Sequence, residues 1–136
     1  MSEIETIADG SGKTHFGLNN KQARDLADAL IELGIPTNIV RVMICLHTHG
    51  ATTSKTLQTR CELRQPEIST AIKTLNKRSL VEIQSTGASG RGRPSHIYKL
   101  SKSIELCIEH FTSEIQRKIT AMQNGLQNVQ RLTQSL

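Results

Sequence analysis

The stretch "TTSKTLQTRCELRQPEISTAIKTLNKRSLVEI", Thr52 to Ile83, decides how the chain is read. Thr53 is a candidate N-cap, because its hydroxyl can accept one of the backbone N–H groups left unpaired at a helix start. Leu57 and Cys61 follow four residues apart, so they share one helix face. "CELRQ" then breaks the pattern, and Pro66 restarts it at the first position of a new helix, where a missing N–H costs nothing. In that second helix Ile68, Ala71, Ile72 and Leu75 form one apolar stripe, which leaves Gln65, Ser69, Thr70, Lys73, Thr74 and Lys77 on the other faces. After Ser79 the apolar period changes from helical spacing to two, at Leu80, Val81 and Ile83, which marks a strand.

Two short helices joined by a tight turn, the second with a polar and basic outer face, form a helix-turn-helix. Upstream, Ala23, Leu26, Ala27, Leu30 and Ile31 repeat at three and four, with Asn19 or Asn20 as N-cap and Gly34 as stop. A further helix follows at once, capped by Thr37 and ended by Gly50. Its Ile39, Val40, Met43, Ile44 and Leu46 make it apolar nearly all round, so it is expected to be the buried helix of the domain. Downstream, "STGASGRGRPSHIYKL", Ser85 to Leu100, sets Gly87, Gly90 and Gly92 around Arg91 and Arg93 before apolar spacing resumes at Ile97. The reading is strand, long tip, strand, with a tip longer than the usual two to five residues of a hairpin loop.

Residues 1–18 show no periodicity and read as a mobile N-terminal arm, with a winged-helix-sized domain over 19–100. Gly12-Lys13-Thr14 resembles the tail of a phosphate-binding loop, but that loop needs a glycine five residues earlier, where Ile7 stands, and a preceding strand. From 101 to 136 there is no proline, and Ile104, Ile108, Phe111, Ile115, Ile119, Met122, Leu126 and Val129 recur at steps of three and four. That is a coiled-coil-like seam with one stutter between Ile115 and Ile119. A helix of about 34 residues would reach roughly 50 Å. The seam needs a partner, most simply the same helix of a second chain, and Gly125 beside it permits close approach.

Composition narrows the function classes. The net charge is +5, but residues 37–100 hold ten basic side chains against three acidic ones, a net of +7, while residues 1–36 are acidic. A polyanionic partner suits that middle segment. Phe16, Tyr98 and Phe111 are the only aromatics, so the core must be aliphatic and stacking platforms for single-stranded nucleic acid are scarce. Cys45, Cys61 and Cys107 are odd in number, widely spaced and set in apolar patterns, which fits a reducing compartment and inert core thiols. Cys45, His47 and His49 do not share one helix face, and no carboxylate cluster accompanies them, so no metal is expected. No Ser/His/Asp, paired-carboxylate or zinc-hydrolase spacing appears, so neither an enzyme nor a cofactor is expected. No apolar run approaches the roughly 18 residues of a membrane span, and the start is acidic where a secretory signal would be basic, so a cytoplasmic, nucleoid-associated protein is expected.

The run from Thr53 to Ile83, followed by "GRGRPSHIYKLS", resembles the DNA-binding core of MarR-type and archaeal TrmB-type transcriptional regulators. Gln65-Pro66 opening the second helix, Ser69, Leu75 and then Leu80-Val81-Glu82 carry the likeness. It implies a mainly α fold with a small β-hairpin wing, a winged helix-turn-helix with a long C-terminal dimerisation helix, acting as a dimer on DNA. Glu62 and Ser79 depart from the pattern, because glycine is usual at both and both sites favour positive φ.

The resemblance and the face analysis agree on Gln65, Pro66, Ser69, Thr70 and Lys73 as the major-groove surface, with Gln65 suited to adenine. Thr53, Lys55, Arg64 and Lys77 are candidates for phosphate contacts. Arg91, Gly92 and Arg93 at the wing tip suit a narrow minor groove, where glycine allows close approach and the arginines supply charge. The expected partners are double-stranded DNA and a second copy of the chain. The competing reading is a winged-helix protein-interaction or basal-transcription component whose long helix docks another protein; RNA is disfavoured by the missing aromatics.

Overall fold

A computed structural model describes residues 20–85 and 96–136. The expected helices and hairpin strands are present in the expected order, with one further short strand, β1: α1 (Asn20–Glu32), α2 (Thr37–His49), β1 (Thr52–Thr53), α3 (Ser54–Cys61), α4 (Gln65–Lys77), β2 (Val81–Ser85), β3 (His96–Leu100) and α5 (Ile104–Gln134). They fall into two units divided between Ile104 and Glu105.

In the first unit α2 is the hub, packed by α1, α3, α4 and β3. Its Val40, Val42 and Met43 are wholly inaccessible, and Ile39, Ile44, Cys45, Leu46 and Thr48 are also buried, so the buried-helix reading of the sequence holds. Leu57 from α3, and Ile68, Ala71 and Leu75 from α4, complete an aliphatic core with Leu80. Each such large side chain is worth about 1.5–3 kcal/mol relative to exposure, which lets the domain fold without aromatic bulk.

Three helices end by one device. After α1, Gly34 (φ 102°) turns the chain left-handed, Ile35 N–H donates to Leu30 O at 3.3 Å and Gly34 N–H to Ile31 O at 2.9 Å. After α4, Ser79 (φ 62°) does the same, with Leu80 N–H to Leu75 O at 2.9 Å and Ser79 N–H to Asn76 O at 3.0 Å. After α3, Glu62 (φ 57°) lets Leu63 N–H reach Gln58 O at 3.1 Å. These closures satisfy carbonyls that the helix end leaves unpaired. Leu80 and Leu75 are both buried, so the apolar contact that accompanies the motif is in place after α4. The helix ends demand positive φ at Glu62 and Ser79, where glycine is usual, as the sequence led one to expect.

Thr53 caps α3 as expected, its Oγ1 accepting from Thr56 N–H at 3.3 Å. The start of α2 differs from the sequence reading. Pro36 occupies the cap with φ −57° and offers no side-chain acceptor, Thr37 is the first helical residue, and Asn38 Oδ1 accepts from Ile39 N–H at 3.0 Å. Proline presets the entry angle, its carbonyl accepts the first helical bond from Val40 N–H at 3.1 Å, and the Asn38 amide takes an early N–H that a hydroxyl cap would otherwise serve. The sheet also has a strand that periodicity did not reveal. β1 pairs antiparallel with β3 (Thr52 opposite Tyr98, Thr53 opposite Ile97), and β3 pairs with β2 from Val81–Leu100 to Ser85–His96, giving the order β1-β3-β2. Two residues are too few to show alternation, and only their tertiary partner makes them a strand.

In the second unit α5 runs 31 residues, about 46 Å at ~1.5 Å per residue. Cys107 and Phe111 near its start are buried. Along the rest of the helix Ile119, Met122, Leu126 and Val129 are exposed, from 42% to 71%, and Leu132 extends the stripe at 51%.

Candidate functional site

The candidate site is the outer surface of α3 and α4. Because Ile68, Ala71, Ile72 and Leu75 anchor α4 to the core, its opposite face is fixed in orientation and open: Gln65, Pro66, Ser69, Thr70, Lys73, Asn76 and Lys77 are all exposed. The five residues expected to face the major groove therefore lie together on one rigid helix.

Two contacts hold the start of α4. Glu67 Oε1 accepts from Arg64 N–H at 2.9 Å, closing the N-terminal turn, and the acid also sits favourably at the positive end of the helix dipole. Asn38 Nδ2 donates to the Glu67 carbonyl at 3.0 Å and ties the start of α2 to the same turn. The Arg64 guanidinium lies 3.9 Å from Glu67 with its side chain 87% exposed, so the pair leaves most of Arg64 free for solvent or a phosphate.

Gln65 is more constrained than its position suggests. Its Oε1 accepts from Ser54 Oγ at 2.8 Å and from Gln58 Nε2 at 2.7 Å, which links the first turns of α3 and α4. Sequence reasoning assigned Gln65 to base contact but missed Ser54 and Gln58. Their spacing at i and i+4 on α3 was the available signal, since it places both on the side that meets the start of α4. With the carbonyl engaged, the side-chain NH₂ of Gln65 remains as the outward donor, and bidentate use of the amide requires this small network to open.

Among the phosphate candidates, Lys55 and Lys77 are exposed and have no ion-pair partner among the described residues, and Lys73 is the same. Thr53 is half-buried, and its hydroxyl is committed to the cap and to Thr56 Oγ1 at 3.1 Å. On the sheet, Glu82 and Lys99 face one another at 3.8 Å. Arg91, Gly92 and Arg93 lie outside the described residues, as does the N-terminal arm. No group of three His, Cys, Asp or Glu that could hold a metal ion occurs among the described residues, and no helix there is long and apolar enough to cross a membrane.

No protein-family model and no curated protein matches the chain. Solved structures do. A MarR family transcriptional regulator from Silicibacter pomeroyi is similar at a TM-score of 0.50 and 17% identity, over 74% of this chain and 65% of that one. A MarR family regulator from Neisseria meningitidis matches at a TM-score of 0.47 and 19% identity, over 85% of this chain and 90% of its own. A transcriptional regulator homologue from Pyrococcus horikoshii OT3 matches at 0.48 and 18%, over 74% and 96%. The likeness to the Silicibacter pomeroyi protein agrees with the element order and sheet described above: the fold is a winged helix-turn-helix like that protein's.

Proposed function

We propose that the chain is a sequence-specific, double-stranded-DNA-binding transcriptional regulator that acts as a homodimer. The observation that carries this reading is the exposed polar and basic face of α4, held opposite its buried stripe on a segment of net charge +7. Gln65 and Lys73 are long enough to reach base edges, Ser69 and Thr70 carry hydroxyls that bond bases or phosphates at close approach, and a helix presented end-first fits the width of the major groove. Lys55, Arg64 and Lys77 flank that face and serve as phosphate contacts, which fix register without reading sequence. Arg91, Gly92 and Arg93 serve the minor groove from the wing tip.

The homodimer rests on the apolar stripe Ile119–Met122–Leu126–Val129, whose exposure is unusual for a side that faces water. Ile104, Ile108, Phe111 and Ile115 head the same seam, and Leu132 extends its exposed end. Selection of bound duplexes from a random pool tests the reading. The expected product is an inverted repeat with half-sites one helical turn, about 10 bp, apart. A pool with no enriched sequence refutes sequence-specific DNA binding, and a single unrepeated half-site refutes the dimer.

A further inference from the structure

Cys45 and Cys61, expected from sequence to be inert, are placed together by the packing of α2 on α3. Cys61 Sγ donates to the carbonyl of Arg41 at 3.6 Å. In a helix that carbonyl points at the N–H of the residue four further on, which is Cys45, so the Cys61 sulfur lies over the turn that carries Cys45. The Arg41 guanidinium donates back to the Cys61 carbonyl at 3.1 Å and holds the two helices in this register. Both thiols are free and line one open cavity of about 330 Å³, together with Arg24, Arg41, Arg60 and Thr48.

Three features of this cavity are unusual for a structural thiol pair. The neighbouring Cys61 thiol, with the charge of Arg60 beside it, pulls the Cys45 thiol down despite its burial. The neighbouring Cys45 thiol, with burial added, pushes Cys61 up, so the two directions make Cys45 the more acidic of the pair. The Thr48 hydroxyl is buried and has no hydrogen-bond partner among the described residues, although it stands in the cavity wall. An orphaned buried hydroxyl is costly unless a small polar molecule satisfies it. Cys107, also wholly buried, is not part of this cavity.

We propose that Cys45 and Cys61 are a modification site: an oxidisable dithiol that reacts with a small hydroperoxide entering this cavity and closes to a disulfide joining α2 to α3. The Cys45 thiolate attacks the outer oxygen of the hydroperoxide, the O–O bond breaks, and the departing alkoxide or hydroxide takes up a proton to leave as alcohol or water. Cys45 is then a sulfenic acid. The Cys61 sulfur attacks it, the S–S bond forms, the S–OH bond breaks, and hydroxide leaves with the Cys61 proton as water. The balance is two thiols and one hydroperoxide to one disulfide, one alcohol or water, and one water. Arg60 stabilises the attacking thiolate, and Thr48 supplies a donor to the peroxide oxygen. The cavity lies behind the helix-turn-helix and not on the exposed face of α4, so the chemistry stands whether or not the chain binds DNA.

The purified full-length chain, first reduced, is treated with hydrogen peroxide and analysed intact and after proteolysis. The expected result is loss of two of the three titratable thiols, a mass lower by two hydrogen atoms, and a peptide pair linking Cys45 to Cys61 within one chain. Cys107→Ser leaves that link unchanged. In Cys61→Ser the reaction stops at a sulfenic acid on Cys45, trapped by dimedone, and in Cys45→Ser no link forms. Three thiols surviving treatment, or a link made through Cys107 or between chains, overturns the proposal. The peptide map of the parent chain decides this without relying on the folding of either variant.

Discussion

Ser79→Gly tests whether the chain spends stability at the end of α4. Ser79 holds φ 62° in the closure that passes the chain from α4 into β2, with an exposed side chain. A residue with a Cβ costs about 1–2 kcal/mol in the left-handed region. Glycine removes that cost but raises the entropy of the unfolded chain, worth about 0.5–1 kcal/mol in the other direction. The contacts received here come through the backbone: the Ser79 carbonyl accepts from Ser101 Oγ at 2.8 Å and from Lys102 Nζ at 3.1 Å, and both survive the substitution. The net expectation is a gain of about 0.5–1 kcal/mol, read in a thermal melt as a rise of about 2–4 °C for a chain of this size. Ser79→Ala keeps the Cβ and shares only the loss of the hydroxyl, so it should stay within about 0.5 kcal/mol of the parent. If Ser79→Gly melts at or below Ser79→Ala, the left-handed strain argument is wrong.

Three further outcomes bear on function. Gln65→Ala removes the acceptor shared by Ser54 and Gln58 and one base-reading group, so discrimination at one base pair should fall by about 1–3 kcal/mol; a binding profile across single-site variants identical to the parent's excludes that role. Arg91→Ala with Arg93→Ala should lower the slope of log K against log salt by about 2 per chain, since each positive charge withdrawn from the groove leaves about 0.9 of a counterion in place; an unaltered slope removes the wing from the interface. Met122→Glu with Leu126→Glu places two carboxylates on the exposed stripe of α5, and sedimentation should then give a 15.0 kDa monomer where the parent gives a dimer; a variant that still sediments as the parent does rules out this stripe as the pairing surface.

What could be read early and what could not separates along physical lines. The helix-turn-helix was legible because its signals are local: a hydroxyl cap at Thr53, a stripe at Ile68, Ala71, Ile72 and Leu75, and a proline at the start of α4. The two missing glycines were legible for the same reason, since a helix end demands a left-handed residue whatever lies around it, and Glu62 and Ser79 take that conformation. The cap of α2 was misplaced because Thr37 offered a hydroxyl one residue beyond a proline that already fixed the entry angle.

By itself, then, the sequence determined the order of the helices and of the two hairpin strands, the buried stripe of α4 and the face of α4 left for a partner, because periodicity and capping act within a few residues of one another. Only the tertiary structure decided three things that depend on residues far apart in the chain. Thr52 and Thr53 become a strand through β3, some 45 positions on. Ser54 and Gln58 take hold of Gln65. Cys61 settles against the turn that carries Cys45. A backbone edge, a side-chain amide and a thiol acquire their chemistry from what stands opposite them, and no local pattern encodes that neighbour.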